Sequence, residues 1–111
     1  IDAPEYKQIC FDKDDKEYLC GISSRNFLNE LIYKKNLTCR VTGRDYYERY
    51  LTVCHLGDLN INSHMVATGN ALRYNNDSPY YFLEQKAKKN KLGIWQGEFL
   101  TPGQYRRLHI N

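Results

Sequence analysis

The sequence predicts a small mixed α+β domain that needs more strands than it carries. A strand end at residues 1–5, an amphipathic helix after it, and two strand-like segments between residues 37 and 56 lead to that reading. Two further helices follow. The order strand end, loop, helix, hairpin, helix, helix leaves a sheet short of partners, its N-terminal strands missing. It predicts either an open sheet edge or a strand-swapped or edge-paired homodimer. At 111 residues the chain has room for one core, and its 41% apolar and 14% aromatic content excludes a disordered tail.

At the start, Pro4 pushes Ala3 out of the helical region and favours a turn. Residues 6–21 are polar and aperiodic, which describes a surface loop. Ser23 or Ser24 then caps a helix whose Phe27, Leu28, Leu31 and Ile32 recur at three- and four-residue steps, ending near Asn36. Leu37, Cys39 and Val41 alternate with Thr38, Arg40 and Thr42, and residues 50–56 are rich in strand formers. A hairpin centred on Tyr46-Tyr47 sets Thr42 opposite Leu51, Val41 opposite Thr52 and Cys39 opposite Cys54. Gly57-Asp58 turns the chain, Asn62 caps a short helix that ends at Gly69, and Ser78-Pro79 opens the longest helix, which runs to Leu92-Gly93. Residues 94–111 show no usable period.

Residues 1–20 carry a net charge of −3 and the remainder +6. An acidic start feeding a basic remainder suits a metal-and-phosphate site beside a polyanion-binding surface, and equally suits a solvated surface. No apolar run approaches the length of a membrane span, and no signal-peptide pattern opens the chain. Cys10, Cys20, Cys39 and Cys54 contain no CxxC and fit no zinc knuckle. Two disulfides, Cys10 with Cys20 stapling the loop and Cys39 with Cys54 across the hairpin, imply a secreted or periplasmic location. Buried free thiols are the alternative.

Several side chains carry candidate chemistry. Asp2 and Glu5 flank a turn at a strand end, so both can face one spot, Asp2 binding a divalent cation and Glu5 orienting or deprotonating water. Arg49, at the hairpin tip, can reach a phosphate with two hydrogen bonds, or pair with Asp45 or Glu48. Tyr74 can stack on a base or pack in the core. Lys86 belongs to a basic run, Lys86, Lys88, Lys89 and Lys91, that reads as a solvated face able to contact nucleic acid.

Four motifs in order, I-D-A-P-E at 1–5, D-Y-Y-E-R at 45–49, I-N-S-H-M-V-A-T-G at 61–69 and E-Q-K-A-K-K-N-K-L-G-I-W at 84–95, resemble the staphylococcal nuclease (thermonuclease-like) family. The resemblance implies a five-stranded OB-type barrel with three helices and calcium-dependent hydrolysis of DNA or RNA. It makes Asp2 and the Ala3 carbonyl calcium ligands, Glu5 the base for the attacking water, and Arg49 the group that steadies the transition state. Glu48 stands where the family has glycine, which implies a rebuilt turn with a carboxylate beside Arg49. The family also uses an aspartate and an arginine upstream of I-D-A-P-E, so a chain starting at Ile1 is expected to bind calcium weakly and cut little. A nucleic-acid-binding OB-type module that has lost catalysis is the second reading.

Overall fold

A computed structural model describes residues 1–75 and 79–109. Its elements are β1 (Cys10–Phe11), β2 (Glu17–Tyr18), α1 (Cys20–Ile32), β3 (Thr38–Arg44), β4 (Tyr50–Leu56), β5 (Leu59–Asn60), α2 (Ile61–Ala67), α3 (Tyr81–Lys89), a 3-10 turn (Gly93–Gln96) and α4 (Pro102–Leu108). Strands β3, β4 and β5 form one antiparallel sheet in that order, and β1 and β2 a separate two-residue ladder. The described residues form no closed five-stranded barrel. β3 lies at the sheet edge, as a shortage of strands predicts.

The apolar stripe of α1 packs Phe27, Leu28, Leu31 and Ile32 against buried Ile61, Met65 and Ala71. A second cluster gathers Cys10, Cys20, Leu72 and Ile94, with Tyr18, Trp95 and Phe99 around it. The N-terminal segment lies between α1 and residue 72, pairing Asp2 with Leu72 through hydrogen bonds of 2.8 and 2.9 Å. Residues of both hairpin strands, together with Ile1, Ala3, Leu28 and Ile32, border an open groove of about 960 Å³.

Two disulfides join Cys10 to Cys20 and Cys39 to Cys54. The free-thiol alternative is thereby set aside. The first bridge explains why α1 begins at Cys20 rather than at a serine: Cys10 pulls the chain onto the core there, and Gly21 N–H donates to the Gln8 carbonyl at 3.3 Å. Ser24 is buried and caps nothing; its hydroxyl donates to the Asn70 carbonyl at 2.6 Å. The helix also stops early, at Ile32, where the chain turns through Lys34 at a φ of 55°.

Cys39 faces Cys54 and Val41 faces Thr52, as the alternation predicts. Thr42 does not face Leu51. The register slips between Val41 and Gly43, so that Gly43 sits opposite Leu51 and Arg44 opposite Tyr50. The cause lies at the tip, where Asp45 N–H donates to the Arg49 carbonyl at 2.9 Å and centres the turn on Tyr47. One extra residue must be absorbed, and Thr42 absorbs it.

Asn60, not Asn62, caps α2, accepting from Ser63 N–H at 3.0 Å. Asn62 is buried and clips the helix to β4 instead, accepting from Cys54 N–H at 3.0 Å and donating to the Thr52 carbonyl at 2.8 Å. α3 starts at Tyr81, two residues beyond Pro79, and the serine cap read at Ser78 lies outside the described residues. The tail read as aperiodic holds α4, capped by Thr101 and Gln104 in a reciprocal box with Pro102 in the first turn.

Candidate active site

Glu5 is held by its neighbours before any ligand is considered. Its N–H donates to Gln8 Oε1 at 3.1 Å, and its carbonyl accepts from Gln8 N–H at 2.8 Å. Gln8 is fully buried, and its Nε2 donates to the Leu100 carbonyl at 2.7 Å. One buried amide thus ties the Glu5 turn to the segment that leads into α4. Gly21 completes the seat, because a Cβ there would run into the Glu5 carbonyl oxygen. The strand pairing at Leu72 fixes Asp2 three residues upstream.

Arg49 arrives from the hairpin tip. Asp45 organises that tip: Oδ1 accepts from Tyr47 N–H at 2.8 Å and Arg49 N–H at 2.9 Å, while Oδ2 takes Arg49 Nε at 2.7 Å. Burial pushes the Asp45 carboxyl up, but the hydrogen bonds from the Arg49 backbone, the Arg49 guanidinium and the Tyr47 backbone outweigh it. Asp45 therefore sits below the ordinary aspartate range. Glu48 does not stand against Arg49. It pairs with Arg44 at 3.2 Å in solvent and adopts a φ of 65°, a left-handed conformation natural to glycine. Glutamate itself holds this left-handed position, and the acid beside Arg49 is Asp45.

Asp2, Ala3, Glu5, Asp45, Arg49 and Tyr74 line one cleft of about 280 Å³. Tyr74 is steadied from α3, where Glu84 accepts from Arg73 N–H at 2.7 Å and pairs with Arg73 Nε at 3.2 Å. Lys86 is exposed on α3 and does not line this cleft.

The residue that sequence reasoning missed is Arg106, on α4. Its Nη1 donates to Glu5 Oε1 at 2.7 Å and to Asp2 Oδ1 at 3.1 Å, and its Nη2 to Asp2 Oδ2 at 3.2 Å. The Asp2 hydrogen bond is the chief cause holding its guanidinium above the usual range; burial opposes it and Glu5 adds to it. The signal for the helix was present in Thr101-Pro102-Gly103-Gln104, a capping box with proline in the first turn. Nothing local signalled the contact, which spans 104 residues to Asp2.

The donors present fit a hard cation in kind but not in number. Asp2 and Glu5 are carboxylates, whereas calcium takes about six to eight oxygens. Among the described residues no three acidic, histidine or cysteine side chains converge on a metal position. Both Asp2 oxygens and one Glu5 oxygen already face Arg106, so a cation bound there would share these oxygens with a guanidinium. Among the described residues no helix is long and apolar enough to cross a membrane.

Residues 1–97 match the model of the staphylococcal nuclease homologue family, leaving α4 outside the match. The chain is 33% identical over 102 residues to succinoglycan biosynthesis protein ExoI of Rhizobium meliloti, covering 88% of this chain and 53% of that protein. It is 32% identical over 111 residues to an uncharacterized endonuclease of Haemophilus influenzae, covering 96% and 57%. The probable endonuclease LCL3 of Komagataella phaffii is 30% identical over 123 residues, covering 98% and 52%. The chain spans about half the length of these curated relatives. With the match running from the I-D-A-P-E turn through the hairpin to the 3-10 turn, the chain belongs to the staphylococcal nuclease homologue family.

Proposed function

We propose that this domain hydrolyses phosphodiester bonds of DNA or RNA, with Glu5 and Arg49 as its catalytic residues. The observation that carries the reading is the arrival of Asp2, Glu5 and Arg49 at one cleft from an N-terminal turn and a hairpin tip more than 40 residues away. Glu5 aims a water at phosphorus and takes its proton. Arg49 meets the charge that develops on the phosphoryl oxygens, where a guanidinium can bond two at once. Tyr74, in the wall of the same cleft, stacks a neighbouring base, and Lys86 adds to the positive field along α3.

Calcium dependence is part of the proposal, with Asp2 and the Ala3 carbonyl as ligands; bound there, the cation would neutralise phosphate charge. The two disulfides suit an oxidising compartment, and a secreted or periplasmic location follows for the reading. A nucleic-acid-binding module without catalysis is the second reading. It is favoured by one observation, Arg106 seated on both carboxylates.

The test is DNA and RNA breakdown followed on gels with calcium or chelator, for the full-length protein and its Glu5→Gln variant, because the segment starting at Ile1 is expected to cut little by itself. Cleavage by the wild type that Glu5→Gln abolishes while binding persists supports the nuclease. Binding with no cleavage in any condition transfers the domain to the second reading, and loss of both rejects the two together.

A further inference from the structure

A larger cleft lies on the other side of Glu5 and Arg49, between the hairpin tip and α4, with a volume of about 600 Å³. Three tyrosines from three separate elements line it: Tyr6 after the Glu5 turn, Tyr47 at the hairpin tip and Tyr105 on α4. Tyr6 and Tyr47 are 53% and 56% exposed, so their ring faces are not used up in the core. Tyr105 is stiffened instead: it stacks on His109, one turn along α4, with ring centroids 3.9 Å apart and planes 19° from parallel. Guanidinium groups lie over the other two rings, Arg25 over Tyr6 at 5.2 Å and Arg49 over Tyr47 at 5.7 Å. Lys7 adds a further cation to the wall, and among the described residues Glu5 is its only acid.

We propose that this cleft is a nucleobase-stacking subsite for single-stranded nucleic acid, with Tyr105 as its platform and Tyr6 as its second wall. Ring faces interleaved with cations match a strand whose bases alternate with phosphates, since any base offers a π-face and the cations meet the phosphates on either side. The volume is in the range of small-molecule sites. Glu5, Arg49 and Arg106 form the wall shared with the smaller cleft, so a base held here belongs to a nucleotide beside the phosphate at Glu5. A duplex cannot fill the site, because its bases present edges and keep their faces stacked. Tyr105 and His109 lie beyond residue 97, outside the segment that matches the family. The subsite rests on the nuclease reading for its place beside the scissile phosphate, but its test reads binding alone.

The probe is a fluorescently labelled thymidine octamer, its copy with two central abasic positions, and the octamer annealed to its complement. Anisotropy in chelator gives the affinity of each for the protein, for Tyr105→Leu, Tyr105→Phe and Tyr6→Leu, with thermal unfolding of every variant. The wild type is expected to bind the intact octamer at least fivefold more tightly than the abasic copy or the duplex. Tyr105→Leu should collapse that gap, Tyr105→Phe should keep it, and Tyr6→Leu, on a different element, should narrow it. Equal affinity of the wild type for intact and abasic strands, duplex binding as tight as single-strand binding, or a gap that survives Tyr105→Leu overturns the subsite. Cleavage by the wild type assayed in parallel separates the two claims. Cutting without the gap removes the subsite and leaves the nuclease, and the gap without cutting does the reverse.

Discussion

Arg49 and Arg106 reach the same carboxylate-lined cleft from regions built on opposite principles. The hairpin tip that carries Arg49 is a local device, in which Asp45 accepts three hydrogen bonds from residues two and four positions away. The α4 region that carries Arg106 is a long-range device. Its helix is capped locally by Thr101 and Gln104, but its place against Asp2 and Glu5 depends on Gln8 reaching Leu100 across 92 residues. A local turn can be read from a sequence, whereas a contact between residues so far apart along it cannot. The difference also assigns chemistry. Arg49 is 61% exposed and bound by Asp45 through Nε, while Arg106 is 25% exposed and spends both terminal nitrogens on carboxylates. Under the proposed function, one meets a ligand and the other holds the acids.

The largest expected effect follows from that assignment. Arg49→Ala should remove about 2–4 kcal/mol of transition-state stabilisation, seen as a fall in kcat/KM on single-stranded substrate, the usual loss for one well-placed donor. Glu5→Gln should lower kcat and leave nucleic-acid binding nearly intact. If Arg49→Ala costs less than threefold, the functional contrast between the two arginines is wrong.

How much could be read in advance divides along the same line. The hairpin, the Cys39–Cys54 pairing and the helix at 27–32 are legible because each is a short-range pattern, whereas the turn expected at Pro4 falls at Glu5–Gln8. The slip at Thr42 was not, because it depends on how Asp45 centres the turn. Ser23 or Ser24, and Asn62, read as caps, the common role of such residues, yet no serine caps α1, and Ser24 and Asn62 are buried and bond to distant backbone. Arg106 was invisible for that reason too.

The long-range device is therefore the part to remove next. Gln8→Leu removes the buried amide that partners the Glu5 N–H and the Leu100 carbonyl, two part-buried hydrogen bonds, and each group left unpaired costs up to about 1–3 kcal/mol. Global stability by urea unfolding should fall by roughly 2–4 kcal/mol. Asp45→Asn, the matching change at the tip, should cost much less stability while lowering cleavage severalfold.

Arg106→Ala tests what the second arginine is for. The ion pairs are partly exposed, so their loss should cost only about 1 kcal/mol in thermal unfolding. Asp2 and Glu5 are then free, and calcium affinity measured by calorimetry should rise, because guanidinium and cation compete for the same oxygens. Unchanged affinity would mean that calcium does not use Asp2. Acid separates the regions as well. Asp45 is held below its ordinary value of 3.8, so its contribution is complete above that pH and is lost as pH falls through the lower value in the folded protein. Arg49 Nε–H signals in NMR should therefore persist at pH 4 and disappear only in stronger acid.

The smallest effect is expected at Glu48. Its φ of 65° costs a non-glycine residue on the order of 1 kcal/mol, which Glu48→Gly relieves. Glycine also loosens the unfolded chain and removes the pairing with Arg44, an exposed contact at 3.2 Å. These terms oppose one another, and stability should shift by less than about 1 kcal/mol. Cleavage should hardly change, since the Glu48 carboxylate pairs with Arg44 and the Arg49 guanidinium with Asp45. A several-fold gain in kcat/KM on Glu48→Gly would show that this carboxylate reaches Arg49 once phosphate is bound, and the tip would then carry two competing acids instead of one organising acid.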